Sequence, residues 1–145
     1  MRAPDLELDG TEGRRPLRPV HGRHLLVLFY QEDGTPTCTT ELTSFRDEAE
    51  LLAELDLDIV AVSTDDLDSH RRFIERLGRL PFPLLSDPGG VAARAFGAWD
   101  VTAKRAQRAA FVVDADGSVL YAVCPYNPAD LTAFEGIFRA AGFTA

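Results

Sequence analysis

Several things are scarce in this 145-residue sequence, and each scarcity excludes something. Cysteine occurs twice, at Cys38 and Cys124, far apart and with no second Cys or His at ligand spacing. Neither a disulfide framework nor a metal site is therefore expected, and thiol chemistry or burial remains. Lysine occurs once, at Lys104, and the 15 basic residues are outnumbered by 23 acidic ones, for a net charge of −8. A chain of that sign is repelled by a phosphate backbone, so no nucleic-acid partner is expected, and the arginines are spread along the chain rather than gathered into a patch. Long apolar runs are missing too: Leu25–Tyr30 falls far short of the roughly 20 residues that a membrane-spanning helix needs. Met1–Asp9 lacks the basic-then-apolar layout of a signal peptide, so no membrane partner and a cytoplasmic location are expected. The length suits one core, and residues 1–145 are read as one domain without repeats or low-complexity tracts.

What is present alternates strand and helix. Leu25–Tyr30 is continuously apolar, as in a central strand buried on both faces. Gln31–Pro36 then carries the turn signals Asp-Gly and Thr-Pro, and Pro36 suits the first turn of a helix, where its missing N–H costs nothing. Leu42, Phe45, Ala49 and Leu52 recur at helical spacing, which predicts one helix over about Thr37–Leu55. Ile59–Ser63 reads as a strand, Ser69–Leu77 as an amphipathic helix, Phe82–Leu85 as a short strand and Val91–Phe96 as a short helix. Ala109–Val113 and Ser118–Val123 flank Asp114-Ala115-Asp116-Gly117, a hairpin signal, and Ala129–Ala141 closes the chain as a helix. With an N-terminal extension containing Leu6-Glu7-Leu8, this order predicts an α/β, thioredoxin-like fold: a central mixed β-sheet flanked by helices.

Cys38 falls in the first turn of the first long helix, where unpaired backbone N–H groups and the positive end of the helix dipole favour an anion. Its spacing from Leu42 and Phe45 places it on the apolar face, so a reactive thiolate there needs compensating charge and hydrogen bonds. A free thiol of pKa about 8.5 is only a few per cent ionised at neutral pH, so full ionisation yields at most some thirtyfold. Any further rate must come from alignment of the reacting atoms and stabilisation of the departing oxygen. Thr35, three residues earlier, offers a hydroxyl that either caps the helix or faces a substrate. Arg108 immediately precedes Ala109–Val113; as a lone arginine it would be a solvated residue, but beside Leu25–Tyr30 that strand brings it to the Cys38 end of the sheet.

The run Phe29-Tyr30-Gln31-Glu32-Asp33-Gly34-Thr35-Pro36-Thr37-Cys38-Thr39-Thr40-Glu41, continuing to Phe45-Arg46-Asp47, resembles the active-site segment of peroxiredoxins, in particular their bacterioferritin-comigratory-protein (PrxQ) branch. Ala3-Pro4-Asp5, Val62-Ser63-Thr64-Asp65 through His70-Arg71-Arg72-Phe73, Pro81-Phe82-Pro83-Leu84-Leu85-Ser86-Asp87 and Arg108 to Gly117 extend the resemblance over nearly the whole chain. It implies a thiol peroxidase in which Cys38 attacks a hydroperoxide, Thr35 binds the peroxide, Arg108 stabilises the thiolate and Glu41 orients the arginine network. A sulfenic acid then forms on Cys38, recycled by a thiol reductant, either a thioredoxin-like protein or a small thiol, and no cofactor is implied. A monomer or homodimer is expected.

Three positions depart from that pattern. Gln31 replaces a proline, which is expected to leave the pocket functional but more open to water. Thr37 stands where glycine is usual. Thr43 occupies the position, five residues after Cys38, where the branch often carries a resolving cysteine. Cys124, after Ser118–Val123, is expected two strands from Leu25–Tyr30, about 10 Å or more away against the 7 Å limit for a disulfide. An external thiol is therefore favoured over Cys124 as resolver, with a buried structural thiol as the other reading of Cys124.

Two rivals are weighed. A dithiol oxidoreductase would need Cys-x-x-Cys, and the second position here is Glu41. A non-catalytic thioredoxin-fold redox-sensing or binding module, with Cys38 an inert buried thiol, remains open. His21, His24 and His70 are read as isolated, with His70 solvated beside Arg71 and Arg72. Asp65, Asp66 and Asp68 are read as helix-start residues rather than metal ligands, and Phe96 and Trp99 as core or subunit-contact residues.

Overall fold

Strand β3 (His24–Phe29) shows how the sequence builds the architecture, because alternate residues of a strand face opposite sides of the sheet. Leu26 and Leu28, with Tyr30 just beyond the strand, enter one core, and Leu25, Val27 and Phe29 enter another. All six are fully buried, as the continuous apolar run predicted. The computed structural model describes residues 2–20 and 22–142.

Ahead of β3 lie β1 (Glu7–Gly10) and β2 (Gly13–Pro16). After it come α1 (Pro36–Asp47), α2 (Ala49–Glu54), β4 (Leu57–Ser63), α3 (Leu67–Leu77), β5 (Leu84–Ser86) and α4 (Val91–Phe96). The short pair β6 (Trp99–Asp100) and β7 (Arg105–Ala106) precedes β8 (Ala109–Val113), β9 (Val119–Val123) and α5 (Leu131–Ala140). Seven strands form one mixed sheet in the order β2-β1-β5-β4-β3-β8-β9. β3 pairs parallel with β4 and antiparallel with β8, and β9 pairs antiparallel with β8. One face of the sheet is covered by α1, α2, α3 and α5, which supply Phe45, Leu52, Phe73 and Ile137. The other is covered by α4 and the N-terminal segment, through Ala92, Phe96 and Leu17.

Three expectations change. The helix expected over Thr37–Leu55 is two helices, because the Glu48 N–H bonds back to the Phe45 carbonyl at 3.2 Å in a tight turn that ends α1. α2 restarts at Ala49 and still delivers Leu52 to the core. The extension around Leu6-Glu7-Leu8 is a hairpin whose strand β1 also pairs with β5, so it extends the sheet. Phe96 is a core residue, as expected, whereas Trp99 is only partly buried and stacks under the guanidinium of Arg94 at 4.5 Å.

Candidate active site

The turn into α1 is fixed by backbone geometry. Gly34 has φ 85°, a conformation that favours glycine, and a Cβ there would lie 3.0 Å from Arg76 Nη2. Thr35 is then extended at φ −71° and ψ 149°, and its Oγ1 accepts from the Cys38 N–H at 3.2 Å. The helix-capping role left open for Thr35 is therefore filled, an interaction worth about 1 kcal/mol, with its hydroxyl proton not used by that bond. Pro36 opens the helix without forfeiting a hydrogen bond.

Cys38 is fully buried on the inner face of α1 with Leu42 and Phe45. Gln31 meets it from the end of β3: the Gln31 N–H donates to Cys38 Sγ at 3.4 Å, and Gln31 Oε1 accepts from Arg108 Nη1 at 2.8 Å. Arg108 reaches this point because Ala109 is paired with Phe29 across β8 and β3, while its carbonyl accepts from the Tyr126 N–H at 2.6 Å. Gln31 is thus more than a leaky substitute for proline. A proline has neither the N–H that faces the sulfur nor the side-chain acceptor that holds the arginine.

Glu41, one turn after Cys38, is fully buried, and neither carboxylate oxygen has a hydrogen-bond partner. The Arg108 Nε beside it is also buried and unpartnered. Burial pushes the Glu41 carboxyl well above the usual carboxylate range, the negative charge of Cys38 adds to that, and Arg108 partly offsets it. The residue that holds the guanidinium by a direct hydrogen bond is Gln31, not Glu41. Burial first, and then the Glu41 charge, likewise raise the Tyr126 hydroxyl. The structure therefore brings Cys38, Thr35, Gln31, Arg108 and Glu41 together.

Cys124 stands apart from this group. It follows β9, with β8 between it and β3, at the end of the sheet that carries Cys38. It is exposed, which corrects the reading of a buried structural thiol. Its Sγ lies 3.9 Å from Gln107 Oε1 and 4.0 Å from the Gly97 carbonyl, and partial desolvation pushes its thiol above the ordinary value.

One reading fails outright. His70 is not solvated: it is completely buried, with Nδ1 2.8 Å from Asp33 Oδ2 and Nε2 2.9 Å from the Leu85 carbonyl. The flanking Arg71 and Arg72 are exposed, but His70 lies three residues before the buried Phe73, so helical periodicity carried the signal. His24 is partly exposed at the start of β3, and His21 lies outside the described residues. Asp66 caps α3 as expected, accepting from the Ser69 N–H at 2.8 Å, whereas Asp65 Oδ2 accepts from the Asp33 N–H at 2.9 Å.

Residues 1–122 match the AhpC/TSA family. The chain is 38% identical to peroxiredoxin Bcp of Bacillus subtilis over 127 residues, covering 83% of this chain and 80% of that one. It is 35% identical over 121 residues to the chloroplastic peroxiredoxin Q of Oryza sativa subsp. japonica, covering 82% of this chain but 55% of that longer one. Among solved structures, peroxidoxin BcpB of Mycobacterium tuberculosis superposes with a TM-score of 0.85 at 30% identity, covering 100% of this chain and 97% of the other. The mixed sheet and its helices are those of thioredoxin-fold peroxiredoxins.

Proposed function

Because the chain belongs to the AhpC/TSA family, the peroxiredoxins, which are thiol peroxidases, we propose that it reduces hydroperoxides, hydrogen peroxide or organic ones, through the sulfur of Cys38. The observation that supports this best is the placement of the Cys38 sulfur in the first turn of α1, facing the Gln31 N–H, with Arg108 held by the side chain of the same glutamine. Each of these favours negative charge on the sulfur.

In the first step the thiolate attacks one peroxide oxygen. The S–O bond forms as the O–O bond breaks, the sulfur is oxidised by two electrons, and the departing hydroxide or alkoxide takes up a proton to leave as water or alcohol. Arg108 supplies positive charge and donors to the departing oxygen, and Thr35 offers its hydroxyl to the incoming peroxide. Because Cys38 is fully buried, the first turn of α1 must open enough to admit the substrate. In the second step an external thiol condenses with the Cys38 sulfenic acid, releasing water and leaving a mixed disulfide. A second thiol, from a small molecule or a thioredoxin-like protein, then releases a disulfide and restores Cys38.

The whole chain acts as one domain, as a monomer or homodimer in the cytoplasm. No helix among the described residues is long and apolar enough to cross a membrane. The complete burial of Cys38 also suits the rival reading, a non-catalytic module with an inert thiol. Peroxide consumption with dithiothreitol as reductant separates the two. The proposal requires turnover that falls to the uncatalysed rate in Cys38→Ser, and a wild-type protein no faster than that variant would refute it.

A further inference from the structure

Outside the Cys38 cluster, the described residues contain a second buried polar group, and it is built around His70. Both ring nitrogens face oxygen acceptors: Nε2 lies 2.9 Å from the Leu85 carbonyl on β5, and Nδ1 lies 2.8 and 3.1 Å from the two oxygens of Asp33. The ring therefore bridges the loop that carries Asp33 and strand β5. The side chains of His70 and Asp33 are 0% and 3% exposed, so bulk water does not replace these contacts.

Asp33 is correspondingly surrounded by donors. Besides His70 it accepts from the Tyr30 hydroxyl at 2.6 Å and the Ser69 hydroxyl at 2.7 Å, while its own N–H donates to Asp65 Oδ2 at 2.9 Å. Burial raises the Asp33 carboxyl, but the donors from His70, Tyr30 and Ser69 outweigh it and leave the group below the usual aspartate value. The groups facing His70 are therefore Asp33 from the loop, Tyr30 from the end of β3, Asp65 from the turn before α3 and the Leu85 carbonyl from β5. Asp33 sits between Gln31, whose N–H faces the Cys38 sulfur, and Thr35, which caps α1.

We propose that His70, through its hydrogen bond to Asp33, is a positioning residue that locks the Gln31–Thr35 loop so that the Gln31 N–H and the capped start of α1 stay aimed at Cys38. The proposal rests on the peroxidase reading of Cys38 and gives α3 and β5, through His70 and the Leu85 carbonyl, a share in shaping the Cys38 site.

The test begins on the ¹⁵N-labelled wild-type protein, in which the Gln31 and Asp33 amides are expected to be protected from hydrogen exchange. Exchange of both as fast as in an unstructured loop would overturn the proposal. Next, the pH profile of Cys38 alkylation by iodoacetamide is compared in His70→Gln, Asp33→Asn and the double variant, all made with Cys124→Ser. Each single variant should shift the profile to higher pH and slow the peroxide reaction about tenfold, the loss of one charge-assisted contact. The double variant should be no slower than the slower single one, whereas independent, multiplying effects or an unmoved profile would contradict the proposal. If the variants do not fold, the wild-type amide exchange still decides. If the wild-type protein reduces no peroxide, the exchange and the alkylation profiles still test the loop separately from the function.

Discussion

Gln31 holds Arg108 by a hydrogen bond of 2.8 Å from Nη1 to Oε1, while its own N–H points at the sulfur of Cys38. One residue therefore serves both the anion and the cation of the site. Gln31→Ala should keep the N–H and lose the tether, slowing peroxide reduction a few-fold, and Gln31→Pro should lose both and slow it about tenfold. Stopped-flow measurement of single-turnover oxidation checks the order, and a Gln31→Pro variant as fast as the wild type would show that neither contact matters.

Glu41 gives a pH signature of opposite sense to a paired carboxylate. Its carboxyl is raised by burial and by Cys38, so in the folded state it binds its proton more tightly than in the unfolded chain. Its contribution to stability is fully present below the unfolded value of about 4.3 and is lost as pH rises toward the folded value. Glu41→Gln, which cannot ionise, should match the wild-type Tm in acid and exceed it increasingly toward alkaline pH. Thermal melts across pH check this, and a difference independent of pH would show that Glu41 is not held in its neutral form.

Asp33 behaves the other way. Its carboxyl is lowered, so its stabilising contribution is present above the unfolded value of about 3.9 and is lost as pH falls through the folded value. Asp33→Asn should be less stable than the wild type near neutral pH, with the gap closing in acid. Chemical unfolding at several pH values reads the gap directly, and a constant gap would remove the ionised form from the account.

Cys124 is exposed and Cys38 is buried, so a maleimide added to the resting protein should label Cys124 first. In the proposed cycle Cys38 is recycled by an external thiol. Cys124→Ser should then keep turnover with dithiothreitol within about twofold of the wild type, because surface substitutions away from the site are close to neutral. Arrested turnover in that variant, together with a stoichiometric Cys38–Cys124 bond after peroxide, would make Cys124 the resolving residue.

The fold was legible where one physical signal dominated. The apolar run of β3, the Thr35-Pro36 entry to α1 and the hairpin of β8 and β9 around Asp114–Gly117 each carry a local signature. The β1 and β2 hairpin and the β6 and β7 pair were not, because strands of four and two residues show too little alternation to stand out. The break at Glu48 was hidden because the apolar spacing continues across it into Leu52. At the site, the proximity of Arg108 to Cys38 follows from strand order, whereas the direct role of Gln31 did not. A glutamine read against an expected proline shows what is missing, but not the contacts its amide and backbone N–H make. His70 was misread because its neighbours in sequence are charged, while its neighbours in space are Asp33, Tyr30 and a carbonyl.

Intact-protein mass spectrometry after one equivalent of hydrogen peroxide, with dimedone present to trap sulfenic acid, tests most directly whether Cys38 is the reacting sulfur. A single dimedone adduct is expected that maps to Cys38, forms within seconds and disappears when a thiol is added before the dimedone. Oxidation confined to the exposed Cys124, or none at either cysteine, would contradict it.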